Sequence, residues 1–318
     1  MKKLKKGDHI RIVSPSASIE YIGGFEANLS AKEKLEELGF EVSFSSNYFE
    51  HDLFDSASIT SRVEDLHQAF ADSSVDAILA TIGGFNSNEL LPYLDYDLIA
   101  QNPKIICGYS DSTAFLTAIY TKTGLQTYMG PSYSSFKMKE GQQYQTQMWL
   151  NALTQQAYEL VPSQEWSCDP WYLPGAPRTF FPTEWKVYHP GKATGTIIGG
   201  NLSTFVLLHG TEFAPQVDDY ILFVEEAEED HYTEFTRHFA ALLQVYPNPK
   251  GVVIGRFPKE CKMTEEILLA ILDKHPILQT IPVLYDVDFA HTQPLFTITI
   301  GAQATFDTDE TIIHVKTN

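Results

Sequence analysis

Through its first half the chain alternates short apolar runs with stretches of helical period, and that alternation restricts the fold more than any other feature. His9 to Val13, Glu41 to Phe44, Asp76 to Thr81 and Lys104 to Cys107 read as strands. Phe25 to Leu38, Ser61 to Phe70, Glu89 to Leu94 and Thr113 to Tyr120 read as helices. Strands alternating with helices build βαβ units and a parallel sheet, with sites at the carboxyl ends of the strands. Two breaks fall at such ends: the segment Thr81 to Asn88 with its Gly83-Gly84 pair, and the bend at Ser110.

The second break is the more informative. Ile105 to Cys107 is apolar, Gly108 follows, one serine stands at the bend, and Thr113 to Phe115 opens a helix. This is the layout of a nucleophile elbow, where a sharp strand-to-helix turn lifts a hydroxyl beside the helix's free N–H groups. The strict pattern has glycine two places after the serine; this chain has Ser112 there. Ser110 as a plain helix cap is the alternative.

From about residue 157 to 185 the texture changes. Trp166, Trp171, Tyr172, Phe180, Phe181 and Trp185 mix with Pro162, Pro170, Pro174, Pro177 and Pro182. Such a segment is too rich in proline for regular structure and too aromatic for an idle linker. It reads as a connector between domains, as a wall over a ligand, or as both. Beyond it, Ala193 to Ile198 is a strand ending at Gly199-Gly200-Asn201, and Leu202 to Leu208 is helix-like. Tyr220 to Val224 is a buried strand ending at Glu225, and Gly251 to Ile254 and Val283 to Tyr285 are further strands. Glu234 to Val245 and Met263 to Lys274 are helical. Leu295 to Ile300, Gln303 to Phe306 and Thr311 to Val315 alternate like antiparallel structure.

The expected fold is therefore α/β. A Rossmann-like domain over residues 1–160 carries the elbow, a connecting loop spans 161–185, and a smaller β-rich α/β domain spans 186–318. A length of 318 residues suits two domains, and 43% hydrophobic residues supply both cores. A net charge of −19 argues against nucleic acid as a partner. The Lys-rich start is not followed by the apolar stretch of a signal peptide, and no run has the length of a membrane span. Cys107, Cys168 and Cys261 are odd in number and lack metal-site spacing. These features predict a reduced, intracellular protein without structural disulfides.

A serine hydroxyl needs a base, and the base an orienting acid. Most histidines have simple placements: His67 and His238 in helical patterns, His314 on the last strand, His51 and His231 in charged stretches. His291 instead lies in the irregular Asp288 to Pro294 segment, between β runs, where functional side chains are commonly carried. Glu225 is the first charge after a buried strand and can hold an imidazole in one tautomer. Its plain reading is the start of a solvated acidic loop with Glu226, Glu228, Glu229 and Asp230. For an oxyanion, the N–H of Asp111 is one candidate donor and that of Gly84 another.

Several motifs together resemble one family, the LD-carboxypeptidases and microcin C self-immunity serine peptidases. They are Gly7 to Ser16, the Gly-Tyr-Ser-Asp-x-Thr at Gly108 to Thr113, Ile198 to Leu202, Phe223 to Glu226, and Ala290 to Pro294. The resemblance covers most of the chain and preserves the order Ser, Glu, His. It implies a triad of Ser110, Glu225 and His291 in a cleft between two domains, and a cytoplasmic homodimer that needs no metal or other cofactor. The segment Ile82 to Tyr96 resembles the immunity branch more than the murein-recycling branch. The immunity branch cleaves the amide between a peptidyl aspartate and a modified AMP. The implied partner is thus a small peptide or peptidyl-nucleotide. Trp166 and Trp171 are the expected stacking residues for a base, with Asn86 and Asn201 as further binding residues. Where some immunity enzymes carry a basic residue after the glutamate, this chain has Glu228, Glu229 and Asp230. Three other readings stay open: a murein tetrapeptide L,D-carboxypeptidase, a non-catalytic nucleotide-binding module built on Gly83-Gly84, and a cysteine hydrolase using Cys107.

Overall fold

The computed structural model describes residues 2–173 and 175–318, so Pro174 of the connector lies outside the described residues. The strands are β1 (His9–Val13), β2 (Glu41–Phe44), β3 (Ala77–Ala80), β4 (Ile105–Gly108), β5 (Thr127–Met129), β6 (Ala157–Leu160), β7 (Glu165–Trp166) and β8 (Phe181–Pro182). They continue with β9 (Lys186–His189), β10 (Lys192–Asn201), β11 (Tyr220–Glu225), β12 (Gly251–Gly255), β13 (Val283–Val287), β14 (Ile298–Ile300), β15 (Gln303–Asp307) and β16 (Ile313–Lys316). The α-helices are α1 (Gly24–Ala27), α2 (Leu29–Glu37), α3 (Ile59–Ala71), α4 (Tyr96–Gln101), α5 (Thr113–Thr123), α6 (Gln142–Thr154), α7 (Leu202–Val206), α8 (Tyr232–Val245) and α9 (Glu265–Leu272).

One sheet has the order β14-β5-β4-β3-β1-β2, parallel from β5 to β2. Its order reverses between β1 and β3, the switch point where the loops diverge and a crevice opens beyond the strand ends. The strands β3 and β4 are buried along their whole length, which is why they are continuous apolar runs rather than alternating ones. The second sheet, β6-β16-β15-β10-β11-β12-β13-β9, is parallel from β10 to β13 and antiparallel on both sides.

The structure departs from the sequence expectations where distant contacts outweigh local pattern. The helix expected over Phe25 to Leu38 is broken at Asn28, whose amide donates to Gly24 O at 2.7 Å and Ile22 O at 3.1 Å. An asparagine that bonds nearby carbonyls competes with the helix for them. Strand β10 does not stop at Ile198 but runs through Gly199 and Gly200 to Asn201. Those glycines allow close approach: a Cβ at Gly199 would overlap Phe223 O, and one at Gly200 would overlap Met129 and Thr113 of the first lobe. Within Leu295 to Ile300, strand structure covers only β14, and it pairs antiparallel with β5 in the first sheet. Conversely, β6 pairs with β16 in the second sheet although it falls within the expected first domain, residues 1–160. The aromatic connector is not wholly irregular, because β7 and β8 form a short antiparallel ladder. No helix among the described residues is long and apolar enough to cross a membrane.

Candidate active site

A cleft of about 890 Å³ lies between the two lobes, lined by residues from the ends of β3, β4 and β10, the segment after β11 and the loop after β13. Ser110 sits at its floor with φ of +60°, a left-handed conformation unusual for a residue with a Cβ. A strained serine between a strand and a helix is what an elbow requires. Gly83 packs against it: a Cβ there would lie 2.9 Å from Ser110 Cβ. Behind the bend, the buried Asp111 carboxylate accepts from Ser16 Oγ and from Ser87 N at 2.9 Å, while Ser87 Oγ donates to Asp111 O at 2.7 Å. The loops after β1 and β3 thus hold the turn. At the short helix Ser110–Ser112, Ser112 N donates to Tyr109 O at 3.1 Å, while Asp111 N makes no backbone bond to another described residue. The N–H of Gly84 makes no backbone bond to another described residue.

His291 closes over the serine from the other lobe. Its Nε2 is 3.0 Å from Ser110 Oγ, and its Nδ1 is 2.6 Å from Glu225 Oε2. Glu225 is fully buried at the end of β11, in register with Asn201 of β10. The solvated-loop reading therefore fails for Glu225 and Glu226, both buried, and holds for the exposed Glu228 and Glu229. Burial works against charge on the imidazole. The Glu225 carboxylate, by its charge and hydrogen bond, with Glu228 and Glu229 beyond it, outweighs burial and raises the ring to about 9. Glu226 goes the other way: burial, then the neighbouring Asp230, pushes its carboxyl up to about 10. Tyr109 lies edge-tilted against His291 at 4.9 Å, and burial followed by the Glu225 charge raises its phenol well above normal.

The other sequence-predicted residues divide. Asn201, Asn86 and Trp171 line the cleft. Asn201 uses Oδ1 to cap α7, accepting from Thr204 N at 3.1 Å, and leaves its buried Nδ2 without a partner among the described residues. Asn86 is occupied as a brace: its Oδ1 accepts from Arg62 at 3.0 Å and its Nδ2 donates to Ser56 at 2.7 Å. Trp166 is not brought to the cleft. It covers the Arg256 guanidinium at 4.6 Å, which itself pairs with buried Asp288 at 3.0 Å. Cys107 is buried, with its thiol pushed up to about 12 by burial, so it offers no thiolate. Among the described residues no group of three or more His, Cys, Asp or Glu is arranged to hold a metal ion.

Sequence reasoning missed the brace of the histidine loop. Asp288 also accepts from Ser163 N and Trp185 Nε1, both at 2.9 Å, and Ser167 and Gln293 exchange backbone bonds at 2.8 Å. Both ends of the connector thereby brace the loop holding His291, while Trp171 and Tyr172, in its middle, line the cleft. The lobes also meet directly, Asn201 N donating to Thr113 Oγ1 at 3.0 Å.

Comparison with known proteins gives the family. The LD-carboxypeptidase N-terminal domain model matches residues 10–130, and the LD-carboxypeptidase C-terminal domain model matches residues 194–306. The chain belongs to the S66 family of serine peptidases. YocD of Bacillus subtilis, which carries the name of a carboxypeptidase, is 44% identical over 94% of this chain and 93% of its own length. The microcin C7 self-immunity protein MccF of Escherichia coli is 31% identical over 96% of each. The crystal structure of an MccF-like protein from Bacillus anthracis superposes with a TM-score of 0.96 at 46% identity, covering 100% of this chain and 99% of that one. MccF itself has been solved in complex with aspartyl sulfamoyl adenosine, with a TM-score of 0.90, 30% identity and coverage of 99% and 98%.

Proposed function

We propose that this S66 family member hydrolyses the amide bond between an aminoacyl or peptidyl group and a modified nucleotide, using Ser110, His291 and Glu225 as its triad. The unbroken hydrogen-bonded chain from Ser110 Oγ through His291 to Glu225 carries this reading. Ser110 Oγ attacks the carbonyl carbon as His291 Nε2 takes the hydroxyl proton. Glu225 holds the ring's tautomer and stabilises the imidazolium. The N–H groups of Gly84 and Asp111 receive the developing oxyanion. His291 then protonates the departing nitrogen, and water, deprotonated by the same ring, releases the acyl group and restores Ser110. Trp171, at the cleft wall, offers a face on which a base stacks. The two lobes act as separate domains contributing to one site, and the protein works as a cytoplasmic homodimer.

A second reading is favoured by the exposed Glu228 and Glu229 on the cleft. Their charge attracts ammonium groups and disfavours phosphate, which suits a murein tetrapeptide ending in D-alanine. Aspartyl sulfamoyl adenosine and such a tetrapeptide, given separately to the purified protein and to Ser110→Ala, distinguish the two. The expected result is release of aspartate from the first substrate by the wild type only. Release of D-alanine alone transfers the assignment to the second reading. Turnover by Ser110→Ala within tenfold of the wild type rules out the triad. The expected loss is on the order of 10⁶-fold.

A further inference from the structure

We propose that Ser134, Lys137 and Gln145 form a subsite for a carboxylate carried by the substrate, an assignment that rests on the hydrolytic reading and deepens it. All three line the cleft, and none belongs to the triad or its donors. Ser134 and Lys137 lie on the short 3₁₀ helix Tyr133–Lys137, and Gln145 lies in the first turn of α6. The two pieces are joined: the Gln142 amide, oriented to satisfy its neighbours, donates to Ser135 O at 2.9 Å and Met138 O at 3.2 Å. The wall they form reaches the end of β3, where Ser134 N donates to Thr81 O at 3.1 Å, just before Gly83 and Gly84.

The polar groups on this wall are unspent. Gln145 and Ser134 are each 1% exposed, yet both amide atoms of Gln145 and the hydroxyl of Ser134 have no partner among the described residues. Buried polar atoms are nearly always bonded, so a wholly unused amide facing a cleft signals a group that arrives later. Lys137 adds the charge. Its half-buried ammonium donates to Asn28 Oδ1 at 2.7 Å and has two further protons to give. No neighbouring charge offsets its burial, which lowers its pKa.

One cation, one hydroxyl and one amide suit a single negative charge spread over two oxygens, with Lys137 Nζ, Ser134 Oγ and Gln145 Nε2 supplying protons. A phosphate dianion would leave charge uncompensated in a cleft that also holds Glu228, Glu229 and Asp230. The carboxylate has two possible sources: the side chain of the acyl residue, or the carboxyl terminus of the departing residue.

Binding to the Ser110→Ala protein separates these sources without turnover. Titration calorimetry compares aspartyl with asparaginyl sulfamoyl adenosine, and a tetrapeptide ending in D-alanine with its carboxyl-terminal amide. In at least one pair the carboxylate form is expected to bind about tenfold tighter, the scale of a charge-assisted hydrogen bond. The first pair assigns the carboxylate to the acyl residue and the second to the departing one. Adding Lys137→Met or Gln145→Leu should erase the preference, Gln145→Glu should reverse it, and Lys137→Arg should retain it. Ser134→Ala, which removes a single oxygen, should weaken it and guards against misfolding of the larger changes. No preference in either pair, or a preference that survives Lys137→Met and Gln145→Leu, overturns the subsite. If the preference appears but the wild type hydrolyses neither substrate, the subsite stands as a binding site and the hydrolytic reading falls.

Discussion

The ends of β4 and β11 each present one polar residue toward the other lobe, and they hold it by different means. At β4 the cost is conformational: Ser110 occupies the left-handed region, held by Gly83 and by the Asp111 contacts to Ser16 and Ser87. At β11 the backbone is ordinary strand and the cost is electrostatic, a carboxylate with no exposed surface offset by one imidazole. The first arrangement aims a hydroxyl with little help from charge. The second tunes a proton acceptor with little help from backbone geometry. Strain and charge are thus stored on opposite sides of one cleft, and substitutions should expose them separately.

The largest test falls on the charged side. Glu225→Gln preserves shape but removes the charge that orients and stabilises the imidazolium, so kcat should fall about 10³–10⁴-fold in a steady-state assay. A loss below tenfold would mean that the second lobe works by geometry after all. The pH dependence comes next. With the folded His291 raised to about 9 from the usual 6.5, the base is neutral only in alkaline solution, and kcat/KM of the free enzyme should climb through that region. Glu228→Gln and Glu229→Gln, each removing a charge that favours the imidazolium, should move the limb toward neutrality. The same linkage acts on stability. The His291–Glu225 pair contributes fully below pH 6.5, and its contribution fades as pH rises through about 9, measurable by denaturant unfolding across that window.

Smaller effects separate two tryptophans of the connector. Trp171→Ala should weaken aspartyl sulfamoyl adenosine binding about tenfold with unchanged stability. Trp166→Ala should leave binding near normal and cost about 1–2 kcal/mol of stability through the Arg256 contact. The smallest effect probes the strain. Ser110→Gly should exceed Ser110→Ala in stability by about 0.5–1 kcal/mol, because only glycine relaxes at positive φ. Equal stabilities would show that the turn is not strained.

Much of the site is legible in the sequence because its signals are local. Ser110 stands at a strand-to-helix break, Glu225 is the first charge after a buried strand, and His291 lies in an irregular segment between strands. What escaped depends on partners far along the chain. Asn28 ends a helix by bonding carbonyls behind it, and its own carbonyl accepts from Tyr133 at 2.8 Å. Gly199 and Gly200 look like a turn until the approach of Phe223, Met129 and Thr113 is known. The stacking role expected of Trp166 gave way to a guanidinium contributed some 90 residues later by Arg256. Asp288, legible only as the start of an irregular segment, is the point where connector, Arg256 and the histidine loop converge.

Strand β14 completes the serine's sheet with residues that lie beyond His291 in the chain. A nascent polypeptide halted on the ribosome after residue 290 would therefore own a hydroxyl with neither its proton acceptor nor a finished platform beneath it. Under the proposed triad, hydrolysis would need residues from both lobes, and severing the chain at the connector would part Ser110 from both His291 and the strand that borders its sheet.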